Sequence, residues 1–264
     1  DKPTLLLHIG THKTGTKTLQ SLMANNRAIL AQQGFCYART DRPSQRLEPH
    51  HGAFARALTL GKAAMEVERE RLVEEVASSG CTTMVLSSES LCDPRKRKSG
   101  ALSLLSILMD DFDISTICIC RRQDYFIESL WNQQTKLMRT KSHIDRFITE
   151  SLSIDRMTYL DMLDGFAEFG PVKVIGFEAS LQDGIIKIFG KATGMVLPEE
   201  AESRNVSPSM TEAAIMAALN RLDILPKRRQ NRTLACYDGR RRALQSRHRS
   251  ELMVEFSEQN VALA

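Results

Sequence analysis

Residues 5–22 read LLLHIGTHKTGTKTLQSL. The stretch begins as an apolar run, passes through a turn rich in glycine, threonine and lysine, and continues with leucines at helical spacing. It therefore predicts a strand over Thr4–Gly10 that leads directly into a helix over Thr16–Gln33. The N-terminus of a helix presents unpaired N–H groups and the positive end of the helix dipole, and both attract anions. We therefore expect an anion site at this turn.

The composition of the chain is that of an ordinary globular protein. Of its 264 residues, 42% are apolar and 26% are charged. The net charge of +4 suits a phosphorylated or polyanionic ligand. Basic clusters at 95–98, 227–229 and 239–242 are not interleaved with aromatic residues, which favours solvated surfaces over nucleic-acid binding.

Cysteine usage and the length of the apolar runs predict the compartment. The six cysteines are scattered and form no CxxC pair, so we expect reduced thiols and no metal site. The longest apolar runs are too short to cross a membrane, and no leader sequence precedes the first predicted strand. We therefore expect a cytoplasmic protein with no transmembrane segment.

Short apolar runs alternate with helical periods along the first 194 residues. The strands that this pattern predicts are Thr4–Gly10, Phe35–Arg39, Thr82–Ser88, Ile114–Arg121 and Val172–Phe177. The predicted helices are Thr16–Gln33, Glu66–Ser79, Leu102–Asp110, Gln123–Arg139, 156–170, Thr211–Leu225 and Arg241–Gln259. Strands that are apolar on both faces and separated by helices favour an α/β fold, a three-layer sandwich with a mostly parallel central sheet. We expect one domain over 1–264, with an α/β core over 1–194 and a helical C-terminal extension over 195–264.

The turn in the opening stretch carries the groups that bind phosphate. Gly10 and Gly15 allow the backbone to approach an oxyanion closely. Threonine hydroxyls add donors, and two lysines add positive charge. The residues of this candidate site are Thr11, His12, Lys13, Thr14, Gly15, Thr16, Lys17 and Thr18.

The order of residues in the turn distinguishes between phosphate-binding loops. Gly10 and Gly15 have the spacing of the nucleotide loop G-x-x-x-x-G-K-[ST], but Thr16 stands where that loop has its lysine. Lys13 lies two residues before the second glycine instead. This K-x-G-T order resembles the 5'-phosphosulfate loop of the sulfotransferases that use PAPS (3'-phosphoadenosine 5'-phosphosulfate), in particular the bacterial carbohydrate type.

A second element resembles the same family. There, a strand ends in an arginine and a serine follows eight residues later in the next helix; the two hold the 3'-phosphate of the cofactor. Here ICICRRQDYFIESLWNQQ (117–134) contains Arg121 at the end of the predicted strand and Ser129 eight residues on. A weaker similarity covers VKVIGFEASL (172–181), in which Phe177, Glu178 and Leu181 match a late strand and turn of the family.

The resemblance implies a P-loop-like fold and a metal-independent reaction. In this reaction a sulfuryl group moves from PAPS to a hydroxyl, or with less support to an amine, of an acceptor that is a glycan or glycolipid. Lys13 is then the cation that stabilises the leaving oxygen. The cofactor-binding residues that it implies are 11–18 together with Arg121 and Ser129.

An alcohol acceptor also needs a general base, and two regions offer one. Glu89, in VLSSESLCD (85–93), follows the third predicted strand and is favoured. His51, in RLEPHHGAFA (46–55), is the second candidate, and His50 and Glu48 lie beside it. His8 lies inside an apolar strand, which is typical of a core histidine whose hydrogen bonds are satisfied.

Two other functions remain open on the sequence. A small P-loop kinase or nucleotide-binding protein using ATP would need a lysine after Gly15 and an acidic magnesium ligand at a strand end. The second alternative is a non-enzymatic protein in which a degenerate loop is kept as part of an interaction scaffold. Binding of PAPS or its bisphosphate product, compared with binding of ATP and magnesium, would separate these functions.

Overall fold

A computed structural model of the chain describes residues 1–11, 14–39, 49–137, 139–140, 142–152, 157–179, 183–198 and 246–262. These residues form two compact units. The first unit contains the described residues up to Arg121 and those from Tyr159 to 198, and the second contains those from Arg122 to Thr158 and 246–262. The single domain that we predicted, with its division at residue 194, stays a prediction.

Five strands form one parallel sheet. They are β1 (Thr4–Gly10), β2 (Phe35–Tyr37), β3 (Thr83–Ser87), β4 (Asp113–Cys120) and β5 (Val172–Gly176). Their order across the sheet is β2-β3-β1-β4-β5, and every neighbouring pair is parallel. Every predicted strand is present, with bounds that differ by at most two residues. The α/β fold with a parallel central sheet is therefore confirmed.

The helices follow in chain order. They are α1 (Thr16–Asn25), α2 (Arg27–Gln32), α3 (Gly52–Leu60), α4 (Lys62–Ser79), α5 (Pro94–Lys98), α6 (Gln123–Lys136), α7 (Ile144–Leu152), α8 (Tyr159–Ala167), α9 (Ile185–Thr193), α10 (Ser246–Glu255) and α11 (Ser257–Ala262). Two 3₁₀ segments cover Glu89–Cys92 and Ala101–Leu108. No helix within the described ranges is long and apolar enough to cross a membrane.

The structure corrects two predicted helices. The helix predicted over Thr16–Gln33 is interrupted at Asn26, whose backbone N–H and side-chain Nδ2 both donate to the carbonyl of Leu22 and so end α1. The segment predicted as Leu102–Asp110 is a 3₁₀ helix, and its serine hydroxyls bond the carbonyls three residues earlier, as Ser103 does with Gly100.

Other differences concern where helices occur. Helices α3, α7 and α9, each nine residues long, were not predicted. The helix predicted over Thr211–Leu225 lies outside the described residues. Of the one predicted over Arg241–Gln259, the described part begins at Ser246 and forms α10 and α11.

In the first unit, helices cover both faces of the sheet. On one face, apolar residues of the strands pack against α1, α2 and α9. The strands contribute Leu6, Val85, Ile117 and Ile119, and the helices contribute residues that include Leu19, Leu22, Met23, Ile185 and Phe189. On the other face, α4 contacts β3 and packs against α3 and the segment Ala101–Leu108. The resulting three layers place the carboxyl ends of all five strands at one edge of the sheet.

The second unit has its own apolar cluster. It is formed by α6, α7 and α10 through Phe126, Ile127, Leu130, Trp131, Ile144, Phe147 and Leu252. Arg249 of α10 bonds Asp124 and Glu128 of α6, at 2.6 Å each. Burial opposes ionisation of Asp124, but hydrogen bonds from Arg122 and Arg249 outweigh it and hold the pKa of this carboxyl below its usual range.

Candidate anion site at the carboxyl end of the first strand

The order of the strands places the β1–α1 turn (residues 11–15) at a switch point. From β1, the chain builds β2 and β3 on one side, and β4 and β5 on the other. In open parallel sheets, ligands bind outside the carboxyl ends of the strands at this reversal. The segments that follow β3 and β4 therefore flank the turn on its two sides.

Hydrogen bonds connect the two ends of the turn with each other and with β4. The N–H of Thr11 donates to the carbonyl of Ile119 at 3.0 Å. The hydroxyl of Thr14 donates to the carbonyl of Thr11 at 2.7 Å and lies 3.1 Å from the hydroxyl of Thr16. All three threonines are buried, and these bonds connect the end of β1 with the start of α1. His12 and Lys13 lie outside the described residues.

The N-terminus of α1 faces this turn without a side-chain cap. Gly15 occupies the cap position with a left-handed φ of 74°, and no side-chain cap hydrogen bond or first-turn acidic residue is found at this helix end. The carbonyl of Gly15 accepts from the N–H of Thr18 and of Leu19, which begins the helical ladder. Lys17 and Thr18 are exposed on the first turn. Unpaired N–H groups beside a lysine make this helix end suitable for an anion.

Gly10 is required by the close approach of the threonines. A Cβ at this position would lie 2.8 Å from Thr16 Oγ1 and 3.2 Å from Thr14 Oγ1. Contacts this short do not occur without movement of the neighbours. The sequence pattern predicted that Gly10 lets a ligand approach the backbone. In the structure, the missing Cβ leaves room for the hydroxyls of Thr14 and Thr16.

Glu89 lies beside β1. The N–H of Ser88 donates to the carbonyl of His8 at 3.0 Å, which brings the 3₁₀ segment that begins at Glu89 to the flank of the turn. Burial lowers the pKa of His8 to about 4, and the charge of Glu89 acts in the opposite direction. The carboxylate is half-buried. The favoured base is therefore close to the predicted anion site.

His51 lies in a different environment. Its Nε2 donates to the carbonyl of Ala38 at 2.8 Å, and its Nδ1 accepts from the N–H of Ser87 at 2.8 Å. The ring is buried, and burial lowers its pKa to about 4. These bonds continue the pairing of β2 with β3 beyond Tyr37. The arrangement favours a structural role, and the catalytic role of His51 stays a prediction.

The neighbours of His51 add little to the choice of base. His50 Nδ1 accepts from the N–H of Gly52 at 3.1 Å, at the start of α3. Glu48 lies outside the described residues. The choice of Glu89 as the base therefore stays a prediction.

Arg121 leaves β4 on the other flank of the turn. Its guanidinium lies over the ring of Phe177, 5.2 Å from the centroid, and its Nε is 3.9 Å from Glu178 Oε1. Its carbonyl accepts from the hydroxyl of Tyr159 at 2.7 Å. The late turn that resembled the sulfotransferase pattern thus orients this arginine. Leu181 of that pattern lies outside the described residues.

Sequence reasoning missed Tyr159. Burial raises the pKa of its phenol well above the ordinary value, and a hydrogen bond with Thr11 opposes the rise. The phenol therefore joins the β1–α1 turn to the end of β4. An aromatic residue on an amphipathic helix is typical of a core, so no signal in the sequence could have indicated this contact.

Ser129 is half-buried on α6, in the second unit. Arg121 belongs to the first unit. The phosphate clasp formed by these two residues therefore stays a prediction.

Comparison of the chain with protein-family models, with curated proteins and with solved structures finds no match. Within the described ranges, no group of three or more His, Cys, Asp or Glu side chains could hold a metal ion. The fold and the site define the class of the protein: it is an α/β protein with a parallel sheet and with a helix N-terminus that has no side-chain cap at the switch point.

Proposed function

We propose that this protein is a PAPS-dependent sulfotransferase that moves a sulfuryl group to a hydroxyl of a glycan or glycolipid, with an amine as the less favoured acceptor. The observation that carries the proposal is the uncapped N-terminus of α1, flanked by the segment with Glu89 after β3 and by Arg121 after β4. An anion site, a carboxylate and a second cation are the three groups that such a transfer requires.

The residues at the turn fit an anionic donor. PAPS, when bound, supplies an activated sulfuryl group together with two anionic ends. The first N–H groups of α1 and the exposed Lys17 would bind the 5' end, because they combine unpaired donors with positive charge. Bonds of Thr14 with Thr11 and Thr16 hold these three threonines in place, which lowers the cost of ordering them on binding. Arg121 with Ser129 would bind the 3'-phosphate.

The proton and the leaving charge need separate groups. Glu89 would accept the proton of the acceptor hydroxyl as its oxygen bonds to sulfur. Lys13 would stabilise the negative charge that develops on the bridging oxygen as its bond to sulfur breaks. Glu89 is preferred to His51 because both ring nitrogens of His51 bond the backbone.

Thermal unfolding with different ligands tests the proposal. A ligand at one hundred times its Kd stabilises the folded state by about 2.7 kcal/mol, which raises Tm by roughly 5–10 °C for a chain of this size. We expect this shift with the desulfated bisphosphate product and with PAPS, and none with ATP and magnesium. A shift with ATP and magnesium alone would favour the kinase.

Two variants make this experiment specific. Arg121→Ala should reduce the shift caused by the bisphosphate, because it removes a cation from the site. Arg146→Ala is the matched control: this arginine is exposed on α7 and pairs with Glu150 at 2.8 Å. Equal shifts in the two variants would remove Arg121 from the binding site.

A further inference from the structure

His8 is a fully buried histidine with one ring nitrogen satisfied. Its Nδ1 lies 2.8 Å from the hydroxyl of Ser87, and its ring packs against Phe189 with centroids 4.9 Å apart. Its Nε2 is buried and has no hydrogen-bond partner among the residues that the structure describes. The expectation of a satisfied core histidine is thus confirmed for Nδ1 and wrong for Nε2. An unpaired buried polar atom costs about 1–3 kcal/mol of stability, and a ligand that forms a hydrogen bond with this atom would remove that cost.

The hydrogen bonds around Ser87 are compatible with a proton on Nε2 of the His8 ring. Gln20 Nε2 donates to Ser87 Oγ at 3.2 Å. The Ser87 hydroxyl has one proton and two acceptors within reach, Nδ1 of His8 and the phenol oxygen of Tyr37; donation to His8 makes Nδ1 an acceptor. Because burial lowers the pKa of His8 to about 4, the ring is neutral near pH 7, and in this arrangement it carries its one proton on Nε2. The unpaired atom is then a donor.

This donor faces the β1–α1 turn. His8 and Gly10 are two residues apart in β1, so they lie on the same face of the sheet. The position of a Cβ on Gly10 would be 3.8 Å from His8 Nε2, and it would also touch the hydroxyls of Thr14 and Thr16. The three polar atoms thus lie around the end of β1, beside Thr16, the first residue of α1.

We infer that the Nε2–H of His8 donates a hydrogen bond to an anionic oxygen bound at the N-terminus of α1. The inference deepens the proposed function and rests on it for the ligand, which is the phosphosulfate end of the donor. A neutral imidazole suits a fully buried position, since it offers a directed donor without the cost of burying a charge. It also distinguishes this site from one built only of lysine and backbone donors.

A matched pair of substitutions tests the inference through the affinity for the bisphosphate, measured by calorimetric titration. In His8→Gln the side-chain amide nitrogen can reach the position of Nε2, whereas in His8→Asn the amide lies near the position of Nδ1. We expect His8→Gln to keep the affinity within a few-fold and His8→Asn to lose about tenfold, the value of one net hydrogen bond. Equal losses in the two variants would overturn the inference.

Nitrogen NMR of the wild-type protein, with labelled histidine, gives a test that does not depend on the folding of a variant. We expect His8 to show the Nε2–H tautomer and its Nε2 signal to move when the bisphosphate is added. An Nδ1–H tautomer, or a signal that does not move while the bisphosphate binds, would overturn the inference.

Inorganic sulfate separates this inference from the proposed function. If sulfate moves the Nε2 signal and the bisphosphate does not bind, the anion donor stands and the sulfotransferase proposal fails. If neither ligand moves the signal, the role of His8 is overturned.

Discussion

Two buried histidines of the first unit, His8 and His51, invite comparison because burial lowers the pKa of each to about 4. They differ in their hydrogen bonds. Both ring nitrogens of His51 bond backbone groups at the ends of β2 and β3, so the hydrogen-bonding capacity of the ring is used within the sheet. His8 keeps one nitrogen unpaired at the end of β1. The shifted pKa is therefore the same in a structural and in a candidate functional position, and hydrogen-bond satisfaction distinguishes the two.

The largest expected effect concerns the base beside His8. Glu89→Gln should lower kcat for sulfuryl transfer about 10²- to 10⁴-fold, because the amide cannot accept the proton of the acceptor. The KM for PAPS should change little, since the carboxylate is assigned no contact with the donor. Steady-state kinetics of the folded variant measures both. A kcat equal to that of the wild type would remove Glu89 from the mechanism and reopen the choice of His51.

The pH dependence of stability tests the shared property of the two histidines. Their folded pKa values lie below the ordinary value of 6.5, so the unfolded state binds more protons between about pH 4 and 6.5. Their contribution is present above pH 6.5 and is lost as the pH falls toward 4. Between pH 7 and pH 5 each histidine should cost about 2 kcal/mol of unfolding free energy.

Urea unfolding at the two pH values measures this loss. In His8→Gln, the part of the loss that is due to His8 should disappear, while the part due to His51 remains. A wild-type stability that does not change over this range would contradict the burial of both rings.

His51→Ala should destabilise the fold by about 2–4 kcal/mol, because it removes the buried ring, its bond from the N–H of Ser87 and its bond to the carbonyl of Ala38, which then keeps only a long bond from Arg27 among the described residues. Its bisphosphate affinity, measured where the protein is folded, should stay close to that of the wild type. His50→Ala is the control, since His50 is the adjacent histidine and is half-buried at the start of α3. A loss of ligand affinity without loss of stability in His51→Ala would give His51 the functional role instead.

The smallest expected effect concerns the turn that His8 faces. Gly10→Ala should destabilise the protein by about 1–3 kcal/mol, because its Cβ would displace the hydroxyls of Thr14 and Thr16. It should also weaken sulfate and bisphosphate binding. Gly176→Ala, at the end of β5, is the matched control, since nothing lies within 4 Å of its added Cβ. Similar losses of affinity in both variants would show that the turn has no special role.

The sequence predicted much of the fold because its signals are local. Five apolar runs bounded by turn residues identified all five strands. The interruption at Asn26 was not predicted, because it depends on a side chain that bonds Leu22 in the folded helix. Helix α3 was also not predicted.

Of the candidate site, the sequence by itself indicated the turn: two glycines at the right spacing, with threonines and lysines between a strand and a helix, predict an anion site from neighbouring residues alone. Tertiary structure decided everything that depends on pairing. The order β2-β3-β1-β4-β5 placed Glu89 and Arg121 on the two flanks of β1, joined Tyr159 to Arg121, and used both nitrogens of His51 while leaving one of His8. The physical reason is that parallel strands meet through crossovers between distant parts of the chain, so the groups at their ends become neighbours only after the sheet has formed.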